Sequence, residues 1–255
     1  MTFLTFAERG VRQVSVDNLG SGSLTVDPSP GDELTGSLNC ADPDYLAAVA
    51  VRTDGDRMRI ALPRSFGPGS AVQIQLVAPA GIDYVVGAGS ADVAIDVEAG
   101  RVQVSNGSGD VSVRSATELS ITNGSGDSIV ERVTGRSARI TSGSGQIRIG
   151  DTAAAVDAKS GSGDITVRSL RGELQGATGS GDISVPSTTG SVDLRSASGS
   201  LTVGVASDLP AWLDLNSVTG AIRIALDATA QPEPGQPYVS IRARTASGEI
   251  AVYRA

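Results

Sequence analysis

The stretch Gly161-Ser162-Gly163-Asp164-Ile165-Thr166-Val167 decides the fold. It joins a glycine turn to a short run in which apolar and polar residues alternate. Alternation with a period of two marks a strand with one buried and one wet face. The same phrase returns at Gly107–Asp110, Gly124–Asp127 and Gly179–Asp182, with variants at Gly143–Gln146, Ala197–Ser200 and Thr245–Glu249. The first apolar position after each turn falls at Val93, Val111, Ile129, Ile147, Ile165, Ile183 and Leu201, each 18 residues after the last. The second falls at Ile95, Val113, Ile149, Val167, Val185 and Val203.

Another alternating run fills the other half of each unit: Val102/Val104, Leu119/Ile121, Ala138/Ile140, Val156/Ala158, Leu174/Gly176 and Val192/Leu194. Two short strands and two turns account for the 18 residues. A repeat this short cannot bury its apolar face alone and must stack on its neighbours. Equivalent strands of successive coils then lie about 4.8 Å apart in two facing parallel sheets. The expected fold is therefore all-β, a parallel β-solenoid (β-helix) of two-strand coils, with no helix. Reversal of direction within a few residues predicts positive φ in the Gly-Ser-Gly turns, which glycine adopts without a Cβ clash.

Residues 1–255 read as one elongated solenoid domain, with an irregular β start or cap over 1–90, regular coils over 91–204 and irregular coils over 205–255. In the first part, Gln13–Val16, Ser23–Val26, Ala48–Val51, Met58–Leu62 and Val72–Val77 look like strands, and Thr53-Asp54-Gly55-Asp56 like a hairpin turn. Arg64–Ser70 is the weakest candidate for a linker. One coil is irregular. An extra turn residue precedes Ile129 and Glu131 falls on an apolar position, so a bulge is expected to turn Val130 or Val133 inward. After Leu201 the period lengthens, and Gln231–Pro237 reads as a proline-rich excursion. The solenoid is expected to end on the last strand, Glu249–Tyr253, with Trp212 as a cap or end-plug.

Composition agrees with thin layers of small apolar residues. The chain has 32 glycines, 3% aromatic residues and a net charge of −8. An acidic balance argues against nucleic acid, whose binding relies on clustered Lys and Arg. There is no His and one Cys, Cys40, which removes the commonest general base and zinc ligand and any internal disulfide. The N-terminus lacks the apolar run of a signal peptide, and no stretch is long enough to span a bilayer. The expected location is cytoplasmic.

The acids that follow the glycines are the most suggestive chemistry. Asp92, Asp110, Asp164 and Asp182 share one position and would form a broken carboxylate column, with Asp127 nearby and Gln146 and Ser200 interrupting it. A calcium ladder, as in a β-roll, is one reading. The β-roll motif, however, sets Asp two residues after its last Gly and repeats every nine. The other reading is a solvated turn whose Asp accepts backbone N–H groups. Arg114 and Arg168 read as local charge balance. The outward series Ala94, Ser112, Arg148, Thr166, Ser184, Thr202 is broken by Arg148 and does not suit an ice-binding lattice. No nucleophile–base pairing is legible, so no catalytic residue, cofactor site or enzyme activity is expected.

The repeated Gly-Ser-Gly-Asp-Ile-x-Val strands, entered through Val77-Ala78-Pro79-Ala80-Gly81, resemble a bacterial β-strand-repeat family of unknown function that carries an adhesin label. The resemblance is best from Val72 to Val203. It implies a β-solenoid without established catalytic residues and, in some members, a link to envelope stress. The expected function is a non-catalytic structural or binding module, an intracellular protein-interaction scaffold, with an unknown protein partner or self-association through the solenoid ends. The alternatives are a carbohydrate-binding or polysaccharide-active β-helix protein and a calcium-binding β-roll.

Overall fold

The structure, a computed structural model, describes residues 2–64, 71–206, 209–226 and 238–255. Most of Arg64–Ser70 and all of the Gln231–Pro237 excursion lie outside them. The chain forms two compact units, residues 1–130 and 131–255.

The first unit contains β1 (Thr2–Arg9), β2 (Gln13–Pro28), β3 (Glu33–Cys40), α1 (Pro43–Ala47), β4 (Ala50–Asp54), β5 (Arg57–Ala61), β6 (Val72–Ala78), β7 (Asp83–Asn106) and β8 (Val111–Asn123). These elements make two rows of strands. The second half of β2 lies parallel between β6 and β7, with Leu24 beside Ile74 and Val93. Its first half lies parallel between β5 and β7, with Val14 beside Met58 and Tyr84. Antiparallel strands then close both rows, β3 on β6 and β1 on β3 in one, β4 on β5 in the other. Gly55, at φ 60°, makes the β4–β5 turn expected at Thr53–Asp56. The short helix α1 was not expected. Asp42 caps it by accepting from Asp44 N and Tyr45 N at 3.0 and 3.1 Å, and Pro43 begins it. Its five residues are too few to show a 3.6-residue period.

Between β7 and β8 the register changes from Val93–Val111, an offset of 18, to Glu98–Ser115, an offset of 17. The corner between the two strands of that coil has lost a residue. This corrects the reading of Ile129: Ser128 takes the buried position after the turn, and Ile129 is 40% exposed. Val130 and Val133 do point into the core, and Glu131 is exposed.

The second unit contains most of β9 (Ser128–Ser142), then β10 (Ile147–Thr152), β11 (Ala155–Ser160), β12 (Ile165–Leu170), β13 (Glu173–Thr178), β14 (Ile183–Thr188), β15 (Ser191–Ser196) and β16 (Leu201–Val205). It ends with β17 (Ala211–Ser217), β18 (Ile222–Ala225), β19 (Val239–Thr245) and β20 (Ile250–Arg254). Alternate strands stack in parallel as expected for two strands per coil. Ile165 lies between Ile147 and Ile183, and Leu174 between Val156 and Val192. The core is filled in thin layers by Val, Ile, Leu and Ala.

Strand order at the C-terminal end corrects the expected succession. β15 pairs with β19 and β16 with β20, while β17 pairs with β19 and β18 with β20. The last coil in sequence, β19–β20, is therefore inserted between β15–β16 and β17–β18. The strand Glu249–Tyr253 lies inside the stack, and β17–β18 forms the terminal coil. Trp212 stands on that terminal coil, 49% exposed. An apolar, parallel slot accepts any strand of matching pattern and length, so chain order and spatial order need not agree.

The turn glycines meet a different demand from the one expected. Among the described residues, positive φ occurs at Asn18 and at Gly10, Gly22, Gly55 and Gly81, not in the Gly-Ser-Gly turns. What excludes a side chain there is the next coil. A Cβ on Gly163 would strike the carbonyl of Gly145, and one on Gly181 that of Gly163. The turns stack backbone on backbone, closer than any Cβ allows.

Candidate functional site

Two ladders of hydrogen bonds hold the turns, the first interrupted at Ser142, whose buried hydroxyl has no partner among the described residues. The residue before the first glycine is Asn, Ser or Thr, and its side chain points inward. Asn106 Nδ2 donates to Gly109 O at 2.7 Å and to Ala91 O of the neighbouring coil at 3.0 Å. Thr178 Oγ1 donates to Gly163 O at 3.2 Å and accepts from Gly181 N at 3.1 Å. Thr245 repeats this with Gly199 and Gly248, and Ser217 with Gly248 and Gly220. Sequence reading missed this ladder. Its signal is a polar residue recurring at a buried phase, where alternation alone predicts an apolar one.

The acid column forms the second ladder. Asp92 Oδ1 accepts from Asp110 N at 3.0 Å and Asp110 Oδ1 from Asp127 N at 2.8 Å. In the second unit, Asp164 Oδ1 accepts from Asp182 N at 2.9 Å and Asp182 Oδ1 from Ser200 N at 2.7 Å. One oxygen of each carboxylate thus closes the turn of the next coil, a charge-assisted bond that satisfies an N–H the glycine turn leaves open. Among the described residues, no three His, Cys, Asp or Glu side chains gather in a way that could hold a metal ion. Arg114 and Arg168 sit against Asp96 and Asp151 at 2.6 and 3.4 Å.

Two further groups are sequestered. Burial pushes the Tyr84 phenol well above its ordinary range, and its hydroxyl is buried with no hydrogen-bond partner among the described residues. Burial also raises the Tyr45 phenol, as does the neighbouring Cys40 thiol to a smaller degree. Tyr45 donates to Pro63 O at 3.0 Å.

The most structured surface is the outward face of the row β9–β11–β13–β15–β19–β17. Registered pairing lines up Arg139, Asp157, Gln175, Asp193, Arg242 and Asp214 in one column. Beside it run Thr141, Lys159, Ala177, Arg195, Arg244 and Asn216. Lys159 pairs with Asp157 at 3.1 Å, Arg195 with Asp193 at 3.2 Å, and Arg242 and Arg244 with Asp214 at 3.0 and 3.2 Å. These cations are mostly exposed, and such pairs contribute at most about 1 kcal/mol each. They pattern the surface more than they stabilise it. Where Gln175 and small Ala177 interrupt the charges, Asp157, Lys159, Asp193 and Arg195 surround a depression of about 190 Å³. Asp193 Oδ1, buried as an atom, accepts no hydrogen bond there among the described residues. A hollow this size falls below the roughly 300 Å³ of small-molecule pockets. It suits one or two side chains, with an anion between Lys159 and Arg195 and a donor between the two acids.

The Toastrack DUF4097 family model matches residues 59–253. The chain belongs to the Toastrack family. That bears out the resemblance carried by the Gly-Ser-Gly-Asp strands. A lipid-binding candidate from Parabacteroides distasonis ATCC 8503 has a solved structure with the same fold, at a TM-score of 0.51 and 16% identity over 98% of this chain and 96% of that one. An adhesin candidate from Bacteroides fragilis NCTC 9343 is similar at a TM-score of 0.48 and 14% identity, over 98% and 97% of the two chains. None of the curated proteins matches. Like the solved relative, the Toastrack chain is β-solenoid in build, and no helix among its described residues is long and apolar enough to cross a membrane.

Proposed function

We propose that this chain is a non-catalytic, intracellular protein-interaction scaffold whose outward ionic face in the second unit docks a partner. The observation that carries the reading is the registered pair of columns around Gln175 and Ala177, the acids Asp157 and Asp193 in one beside the cations Lys159 and Arg195 in the other. Weak, exposed ion pairs exchange readily for pairs with a partner, and complementary charge fixes register and speeds encounter. The hollow holds side chains rather than a sugar ring or a cofactor. A role in envelope stress is part of the proposal and rests on family resemblance alone.

The test is a photo-crosslinking amino acid at Gln175 in the native host, with Thr166 on the opposite row as control. The expected result is a discrete protein adduct at Gln175, lost in the Lys159→Glu/Arg195→Glu variant. Glycan-array binding or release of reducing sugar by the pure protein, without an adduct, would overturn the reading in favour of a carbohydrate-directed one.

A further inference from the structure

The terminal coil β17–β18 is built like an interior coil but, among the described residues, lacks a neighbour on its outer side. Among the described residues, β17 pairs only with β19 and β18 only with β20, so two strand edges are open. Its inward positions are apolar. Ile222 and Ile224 are 44% and 53% exposed, whereas their counterparts Ile250 and Val252 are buried. Leu213 and Leu215 are half-buried where Ile241 and Ala243 are fully so. At the other end of the chain, by contrast, antiparallel strands close both rows.

The occupant must offer two strand edges at solenoid spacing and a matching apolar layer. A second copy of this same end does so. The two strands of a coil run in opposite directions, and positions at equal height face each other across the core. Gly176 shows this: a Cβ there would lie 3.6 Å from Ile183 Cγ2. Through the registered coils, Gly176 corresponds to Leu215 and Ile183 to Ile222. A two-fold axis parallel to the strands therefore lays β17 antiparallel beside β18 of the second copy in a fixed register. Leu215 meets Ile222, Leu213 meets Ile224, and Asp214 meets Arg223, the one pair of opposite charges at the centre of each seam.

Both seams form at once, and each closes the open N–H and C=O groups of the other copy. Trp212, Val218, Ile222 and Ile224, all exposed, supply roughly 400 Å² per copy, which with the backbone edges approaches the ~1,000 Å² of a specific interface. We infer that the chain forms a two-fold, end-to-end homodimer through β17–β18. The inference rests on the reading of the chain as a binding module and adds a partner at the end of the stack, away from the Gln175 hollow.

Sedimentation of the full chain over a range of concentrations tests it. The expected species has the mass of two chains. Arg223→Asp and Asp214→Arg are each expected to be monomeric, because each sets like charges across both seams. An equimolar mixture of the two is expected to recover the dimer, since the mixed pair has opposite charges at both. Circular dichroism checks that each variant folds. Should one not, Asp214→Cys/Arg223→Cys in a Cys40→Ala background is expected to give an intermolecular disulfide dimer on oxidation. A monomer at every concentration, a dimer indifferent to both charge variants, or an absence of that disulfide would overturn the inference. The Gln175 adduct is read in the wild-type chain, so none of these outcomes bears on it, and loss of that adduct with the wild-type dimer intact would sink only the proposed docking face.

Discussion

Gly163→Ala separates the two explanations of the turn glycines. Gly163 lies outside the left-handed region, so alanine brings no backbone strain of its own. The added Cβ would collide with the carbonyl of Gly145, and it would lie 2.9 Å from Ser144 O. These are backbone atoms of the adjacent coil and cannot swing aside. The coil must separate locally, straining the bond from Thr178 Oγ1 to Gly163 O at 3.2 Å and that from Gly163 N to Ser160 Oγ at 2.8 Å. Overpacking against a rigid neighbour costs about 1–3 kcal/mol. Each weakened hydrogen bond costs about 1 kcal/mol. Lower entropy of the unfolded chain returns about 0.4–1 kcal/mol. The expected net loss is about 2–4 kcal/mol, at the upper end of ordinary point substitutions. Urea unfolding followed by the fluorescence of Trp212, the single tryptophan and a residue of the second unit, measures it. Ser162→Ala, at the exposed position of the same turn, is the control and should be within about 0.5 kcal/mol of wild type. A loss below about 0.5 kcal/mol for Gly163→Ala would refute the stacking argument.

Other consequences are as direct. Thr178→Val keeps the shape but removes the hydroxyl that donates to Gly163 O and accepts from Gly181 N, leaving both without it, and should cost about 1–3 kcal/mol in the same assay; Thr166→Val on the wet face should be nearly neutral. The Tyr84 phenol is raised in the folded state, so its stabilising share is complete below about pH 10 and declines as pH rises further, when the unfolded chain ionises first. Tyr84→Phe should therefore flatten the alkaline fall in stability, and at neutral pH it should be neutral or slightly stabilising because it deletes an unpartnered buried hydroxyl. A steep alkaline loss persisting in the variant would contradict this. The Asp92, Asp110, Asp164 and Asp182 carboxylates already serve as turn acceptors, so the melting temperature should agree within about 1 °C between chelator and millimolar calcium. A rise of several degrees would reinstate the calcium roll.

The repeat was legible because two constraints coincide in it: period-two alternation fixes which face is buried, and a fixed coil length fixes which residues stack. Ile147, Ile165, Ile183 and Leu201 accordingly fall in register. Ser128 and Ile129 show where this fails, because the missing residue lies in the corner before Leu119, where no alternation records it. The terminal coil was misplaced for a similar reason. Ile222/Ile224 and Ile250/Val252 carry the same pattern, and a pattern states that a strand fits a slot without stating which slot. The ionic face is invisible in any single coil, since Asp157, Gln175 and Asp193 become neighbours only through stacking. The glycines were read correctly as turns but for conformational freedom, whereas their cause is a contact 18 residues away.

The stacking order at the C-terminal end supports both the inserted coil and the open terminal one, and a pair of cysteine cross-links tests it. With Cys40 replaced by Ala, Thr202→Cys/Ala251→Cys places thiols on the outward face of the registered strands β16 and β20. Adjacent strands hold such Cα atoms about 5 Å apart, within disulfide reach. Thr202→Cys/Arg223→Cys joins β16 to β18, which are two coils, about 10 Å, apart here but would be neighbours if the coils stacked in sequence order. Mild oxidation should close the first pair within one chain and leave the second open. An intramolecular disulfide in the second pair, with none in the first, would contradict the inserted coil.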